Sequence, residues 1–250
     1  MRYKTANDLL NQVATEVGLT RQTDVFASND ESFGRMIALA NACLTELTQT
    51  KAWERMIRTA TITGADILAN GGKVPLPADF SYMIPQTGWE LDQDVPLLGP
   101  LSPQQWTYLA GRDLVSYTIY ASFRLREGEV WIFPWAENPP TEEPETNITY
   151  EYASSSTVLS NGEAGQYSDS IQNAGDIVLF QPYLFERLLK LRFLNSKGMD
   201  TQEAATQYVL ALNSWEGKDS GGGPILNASS RGYSINFLND CNLPDTGMGS

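Results

Sequence analysis

The sequence predicts an α+β protein: an antiparallel helical bundle with an inserted β-rich module and an extended C-terminal arm. Apolar residues repeat at helical spacing near both ends of the chain and alternate at strand spacing in the middle, and a glycine-rich stretch follows the last helical pattern. We therefore assign residues 1–55 and 171–216 to the bundle, residues 56–170 to the β-rich insertion and residues 217–250 to the flexible arm.

Two N-terminal helices are predicted, over residues 5–17 and 29–51. Thr5 with Asp8 forms a cap pair for the first helix, and Ser28 with Glu31 forms a capping box for the second. Each helix carries one apolar stripe at spacings of three and four residues, so the two are expected to pack together. Cys43 lies beside the second stripe, where a small core residue is a more common role than a catalytic thiol.

The insertion is predicted from short alternating segments. Residues 53–63 shift toward strand spacing, and residues 117–125 alternate most clearly. Glu127 and Gly128 predict a hairpin turn into a strand over residues 130–133.

A short helix is predicted inside the insertion, after residue 102. Ser102 with Gln105 forms its capping box, and Pro103 takes its first position.

Two further helices are predicted before the arm, and the short turn between them indicates an antiparallel hairpin. Asp200 with Glu203 caps the second. Its apolar stripe is expected to contain Ala204, Ala205, Tyr208, Val209, Leu212 and Trp215.

From residue 217 the composition is that of a flexible linker. It leads to Tyr233, Ile235 and Phe237, which alternate with polar residues. Such a segment packs back on its own domain or adds a strand to the sheet edge of another chain. We favour the second because the linker is long.

The charge balance limits the partners. With 30 acidic and 17 basic residues the net charge is −13, which disfavours gripping nucleic acid or an acidic membrane. Acidic walls would suit a channel through which DNA slides, although solubility alone explains the charge equally well. No apolar window is long enough for a membrane span, and MRYKTANDLL has no signal-peptide core, so we expect a soluble protein made in a cytoplasm.

The chain has no histidine, which removes Ser-His-Asp and Cys-His nucleophiles and His-based metal sites. We assign no catalytic, cofactor-binding or metal-binding residue. Carboxylate chemistry on glycans remains open, with Glu90, Asp92 and Asp94 beside Trp89 as the best cluster. A solvated loop or interface rim is the more common explanation for such a cluster.

The order of the segments, with LPADF from Leu76 to Phe80 and then Leu101, Ser102 and Trp106, resembles the head-to-tail adaptors of tailed bacteriophages. That family includes tail tubular protein A of short-tailed phages. The resemblance implies a structural virion protein, without enzymatic activity or cofactor, at the head-tail junction.

Several partners are implied by the resemblance. Such adaptors form a homo-oligomeric ring, typically of twelve copies, beneath the portal protein. The ring meets a tail or nozzle protein, with a tail fibre as a further neighbour, and DNA passes through its lumen during ejection without sequence-specific binding. The portal-docking residues of the arm would be Ile225, Leu226, Tyr233, Ile235, Phe237 and Leu238. The loop that contacts a neighbouring subunit or the tail would contain Trp89, Glu90, Asp92 and Asp94.

Two alternatives stay open. One is a glycan-binding or glycan-cleaving protein that uses Trp89 and the nearby acids. The other is a different tail-completion protein of a phage, with the same structural logic and another neighbour.

Overall fold

A computed structural model describes residues 4–111 and 121–219, which form the mixed α+β structure that the sequence predicts. The helices within these ranges are α1 (Ala6–Glu16), α2 (Glu31–Thr50), α3 (Gly64–Asn70), α4 (Pro103–Gly111), α5 (Pro182–Ser196) and α6 (Gln202–Asp219). The strands are β1 (Ile57–Thr63), β2 (Lys73–Pro75), β3 (Phe80–Met83), β4 (Trp89–Glu90), β5 (Val95–Pro96), β6 (Ser122–Arg126), β7 (Glu129–Phe133), β8 (Asn147–Ser154), β9 (Val158–Leu159), β10 (Tyr167–Ser168) and β11 (Ile177–Val178).

The strands form three antiparallel sheets. The largest has the order β1-β8-β4-β5, and β3 also pairs with β8. Its longest pairing joins β1 to β8, from Ile57 opposite Ala153 to Thr63 opposite Asn147. The two smaller sheets have the orders β2-β7-β6 and β10-β9-β11.

Two hydrophobic cores divide the described structure. The first is filled by α1, α2, α5 and α6 together with β9 and β11, and includes Leu10, Met36, Leu44, Phe185 and Leu188. The second lies under the largest sheet and the β2-β7-β6 sheet, and includes Ile62, Ile67, Ile132, Ile148 and Tyr150. A small third cluster joins α4 to β7 through Trp106 and Phe133.

Several local predictions are confirmed. Thr5 caps α1 by accepting a hydrogen bond from the Asp8 N–H. The hairpin between β6 and β7 turns at Glu127 and Gly128, both with positive φ. Cys43 is fully buried in the first core. Residues 117–120 of the predicted strand over 117–125 lie outside the described residues, and residues 122–125 lie in β6.

Other local predictions are wrong. Asp30, rather than Ser28, caps α2, because its carboxylate accepts from the Ser32 N–H at 2.8 Å. Helix α3 was not predicted, although Thr63 and Asp66 form a capping box at its start.

The end of α6 also differs from the prediction. Residues 217–219 were assigned to the arm, but α6 continues to Asp219. The Asp219 carboxylate lies 3.1 Å from Lys51 Nζ, and this ion pair holds the last turn against the end of α2. No helix in the described ranges is both long and apolar enough to cross a membrane.

Gly72 and Gly128 allow a matched test of how closely the backbone near Trp135 passes Gly72. Both have positive φ, 77° and 80°. A Cβ at Gly72 would lie 2.4 Å from the backbone of Trp135 and Ala136, whereas a Cβ at Gly128 would meet nothing within 4 Å.

We expect Gly128→Ala to lower the free energy of unfolding by about 1–2 kcal/mol through backbone strain. Gly72→Ala should lower it by a further ~1–3 kcal/mol, because the backbone must also shift. Urea denaturation of the two variants measures the difference. Equal losses would show that the chain does not pass this close to Gly72.

Candidate functional site

The LPADF residues lie at the boundary of the second core. Leu76 and Phe80 are partly buried against it. The Phe80 ring stacks on Tyr152, with centroids 5.7 Å apart. These two residues anchor the chain where it enters β3, so this part of the motif has a packing role.

The Asp79 carboxylate links three strands of the largest sheet. It accepts hydrogen bonds from Tyr152 Oη at 2.9 Å and Ser154 Oγ at 2.6 Å, and it lies 2.8 Å from an Arg58 guanidinium nitrogen. Burial alone would raise the pKa of Asp79, but the hydrogen bonds from Ser154 and Tyr152 and the charge of Arg58 lower this pKa below its usual value. Asp79 therefore joins the start of β3 to β8 and β1.

The second part of the motif places α4. Ser102 and Gln105 form the predicted capping box, with N–H···O distances of 2.8 and 3.2 Å. Trp106 is 4% exposed and donates from Nε1 to Glu137 at 2.7 Å. Its ring packs edge-on against Phe133. The residues that carry the resemblance thus fix the fold of the module, and none of these side chains forms a cleft with reactive groups.

The predicted contact loop is the hairpin between β4 and β5. Glu90 is only 2% exposed, and its carboxylate accepts from Gln93 N at 2.6 Å and from Thr146 Oγ1 at 2.9 Å. Asp92 accepts from Asn147 Nδ2 at 3.0 Å at the rim. Glu90 therefore holds the hairpin closed and has almost no surface to offer a partner, unlike the contact residue expected from the sequence.

Trp89 has a different position from Glu90. It is 38% exposed on the outer face of the largest sheet, and the register places it opposite Thr149, which in turn lies opposite Thr61. Asp94, at the hairpin tip with φ of 53°, is exposed as well. The hairpin thus presents an aromatic ring and acids at separate points, and Asp92 lines an open cleft together with Glu143 and Glu145.

The outer face of α6 was not found from the sequence. Val209 was expected in the buried stripe, but it is 49% exposed, and Leu210 beside it is 65% exposed. Thr206 and Asn213 continue the same face at helical spacing and are exposed too. We call these four residues the α6 outer face. It carries no charge, although α6 as a whole has both acidic and basic residues.

The predicted portal-docking residues of the arm cannot be placed in this geometry. They all lie outside the described residues, and their role stays a prediction. They are Ile225, Leu226, Tyr233, Ile235, Phe237 and Leu238.

Reactive groups are scarce in the described ranges. Burial raises the pKa of the Cys43 thiol to about 12, so it stays protonated at neutral pH. Within residues 4–111 and 121–219, no three Cys, Asp or Glu side chains lie close enough together to hold a metal ion. Exposed apolar side chains in the described ranges include those of the α6 outer face and of the hairpin that carries Trp89.

No protein-family model matches this chain, and no curated protein matches it. The resemblance to phage adaptors therefore depends on the order of the segments and on the motif residues described above.

Asp79 gives a test of the motif. Because its pKa is lowered in the folded protein, the ionised carboxylate stabilises the fold above its unfolded pKa, and this contribution is lost as the pH falls through the folded pKa. We expect Asp79→Asn to lower the free energy of unfolding by ~1–3 kcal/mol at pH 7. The difference from the wild type should shrink below about pH 4.

Asp94→Asn is the matched control for this prediction. Asp94 is exposed, and asparagine tolerates positive φ as well as aspartate does. Its free energy of unfolding should stay within about 0.5 kcal/mol of the wild type. Urea denaturation between pH 3 and pH 8 measures both variants, and a loss in Asp79→Asn that is the same at every pH would contradict the assigned role.

Proposed function

We propose that this chain is a structural virion protein, a head-to-tail adaptor whose copies form a ring between the portal and the tail of a tailed bacteriophage. The observation that carries the proposal is the α6 outer face. It is an uncharged surface, apolar at Val209 and Leu210, on a chain whose net charge is −13.

The charge explains why this face suits another copy of the chain. Two copies of so acidic a protein repel each other, so association is favoured where acids are absent. The centres of protein interfaces are depleted in charged residues in the same way. Val209 and Leu210 would lie at the centre of such an interface, and Thr206 and Asn213 at its rim. In a ring, this face meets a different face of the next subunit.

The point at which the arm begins also supports the proposal. Helix α6 ends at Asp219, which is fixed against Lys51, so residues 220–250 start from a defined point beside the first core. On the adaptor proposal, this arm reaches the portal through Ile225, Leu226, Tyr233, Ile235, Phe237 and Leu238.

The Trp89 hairpin would supply a second contact. Trp89 and Leu91 are 38% and 48% exposed, and the acids Asp92 and Asp94 are exposed beside them. A tail or nozzle protein, a fibre or the next subunit would meet this surface. Glu90 shapes the hairpin from within.

The remaining parts of the proposal follow from the family and from the charge. A ring of twelve copies would surround DNA during ejection, and an excess of acids, 30 against 17 bases, would keep DNA from adhering to the channel. The location would be the head-tail junction of the virion, after synthesis in the host cytoplasm. A different tail-completion protein would share these features and differ in which neighbour it joins.

Glycan binding at Trp89 is the second candidate function. The exposed indole lies on the outer sheet face, opposite Thr149 and two strands from Thr61, an arrangement that suits a sugar ring. Binding is the part of this alternative that the geometry favours. Cleavage has less support, because the Glu90 carboxylate is buried and bonded to its own hairpin.

Leu210→Asp tests the α6 outer face. Mass measurement of the wild type with the portal protein of the same virus should show a ring of copies bound to the portal. The variant should give at least about tenfold less ring, because a buried unpaired charge opposes the contact. Leu98→Asp adds the same charge at a leucine that is 46% exposed elsewhere, and it should assemble like the wild type. Equal ring yields for Leu210→Asp and the wild type would exclude this face as the subunit contact.

Paired aspartates test the arm in the full-length chain. Ile235→Asp with Phe237→Asp should abolish portal binding, since the apolar side chains that would fill portal pockets are lost. Ser229→Asp with Ser230→Asp adds the same charge in the linker and should bind. The measurement is co-sedimentation with the portal. If both double variants bind equally, the arm is not the docking element.

A further inference from the structure

Strand β1 has one open edge. It is an outer strand of the largest sheet, paired with β8 along all of its seven residues. In β8, the carbonyls of Asn147 and Glu151 accept hydrogen bonds from Leu91 N and Ile84 N on the other side, at 2.8 and 2.9 Å. Alternate residues of a strand direct their backbone groups to opposite sides. The residues between them, Ile148 and Tyr150, therefore form backbone hydrogen bonds with β1.

The same alternation fixes which groups β1 exposes. The backbone groups of Ala60 and Ile62 form hydrogen bonds with Tyr150 and Ile148 of β8, which lie opposite them. The N–H and C=O groups of Thr59 and Thr61 point away from the sheet, and within the described ranges no other strand lies along them. Thr63 shows the same orientation, since its outward N–H bonds the Asp66 carboxylate of the α3 capping box.

This edge lacks the features that normally prevent pairing with other strands. Natural edge strands carry proline, an outward lysine, a bulge or a covering segment. The sequence of β1, IRTATIT, has no proline or lysine, and its pairing with β8 is free of bulges. Its one charged side chain, Arg58, turns away to Asp79 and to the Tyr167 ring. Within the described ranges, the part of this edge from Arg58 to Ile62, about 17 Å long, is thus left without protection.

The C-terminal segment leaves the described structure close to this edge. The Asp219 carboxylate accepts from the Glu54 N–H at 3.3 Å, and Glu54 begins the turn that leads directly into β1. Residues 220–232 span on the order of 40 Å when extended, which is ample to bring the next residues alongside β1.

We propose that residues 233–238 of the same chain pair with the open edge of β1 as a sixth strand of the largest sheet. Their alternation fits this position. Tyr233, Ile235 and Phe237 would lie on the core side, next to half-buried Ala60. Ser234 and Asn236 would lie on the outer side, where Thr59 and Thr61 are exposed and where polar cross-strand pairs are favourable.

The tether favours a segment of the same chain, rather than of a second copy, as the strand that pairs with β1. A segment tethered through residues 220–232 has an effective concentration on the order of a millimolar at a site within their reach. A second copy reaches that concentration only in concentrated solution, and the net charge of −13 opposes its approach. The inference does not depend on the adaptor function. It adds that a partner using Ile235 and Phe237 must first displace the segment from β1.

Amide hydrogen exchange in the isolated full-length chain tests the pairing. The variant Ile235→Pro with Asn236→Pro removes two consecutive N–H groups, one of which must face β1 in either register. The Thr59 and Thr61 amides should exchange at least about tenfold faster in this variant than in the wild type. Ala228→Pro with Ser229→Pro places the same change in the linker and should leave both amides protected. Unchanged exchange of core amides such as Ile132 shows that each variant is folded.

Two outcomes would overturn the proposal. One is equal exchange of Thr59 and Thr61 in the wild type and in the Ile235→Pro, Asn236→Pro variant. The other is recovery of protection when the ¹⁵N-labelled variant is mixed with unlabelled wild type, which would assign the edge to a second copy. Because no portal is present, either outcome leaves the adaptor proposal to its own test.

Discussion

The burial of α5 is the constraint on which the described structure depends. It packs against α1, α2 and α6, and its apolar side chains fill the first core. Two of its charged side chains form ion pairs with other segments. Glu186, only 2% exposed, lies 2.7 Å from Lys4 Nζ, and Arg192 pairs with Glu46 on α2. Removing Lys4 would leave the buried Glu186 carboxylate without its charged partner, so this contact helps to position the segment before α1. The Arg192–Glu46 pair is more exposed and contributes less to the position of α2.

The position of α6 follows from that of α5 and has consequences outside the core. Ala204 and Ala211 face α5, and Asp219 is held by Lys51. With its inner side and its end both fixed, α6 cannot rotate to bury Val209 and Leu210 within its own chain. The same two constraints set the point at which the C-terminal segment starts, beside β1. One packing arrangement therefore produces both an exposed apolar face and a tether next to an open strand.

The accuracy of the sequence predictions depends on the range of the interactions that decide each feature. The Ser102–Gln105 capping box could be predicted because the two residues lie three apart and need no other part of the chain. The exposure of Val209 could not, since α6 has apolar residues on more than one side and tertiary packing selects the side that is buried. Glu90 was misplaced for the same reason. Its partner Thr146 is remote in sequence, and only the register of β4 on β8 brings them together.

The α6 outer face and the β1 edge differ in how selective they are. The α6 outer face is recognised through side chains, so a partner must match its shape. The β1 edge is recognised through backbone groups, so any extended segment of suitable length can pair with it. On the adaptor proposal, in which copies meet in a ring, an open edge would join copies without regard to geometry. A segment of the same chain paired with β1 would prevent such contacts. The α6 outer face needs no such cover, because only a partner of matching shape can bind it. Assembly would then begin through the selective surface, and the edge would be exposed only after a partner has taken the arm.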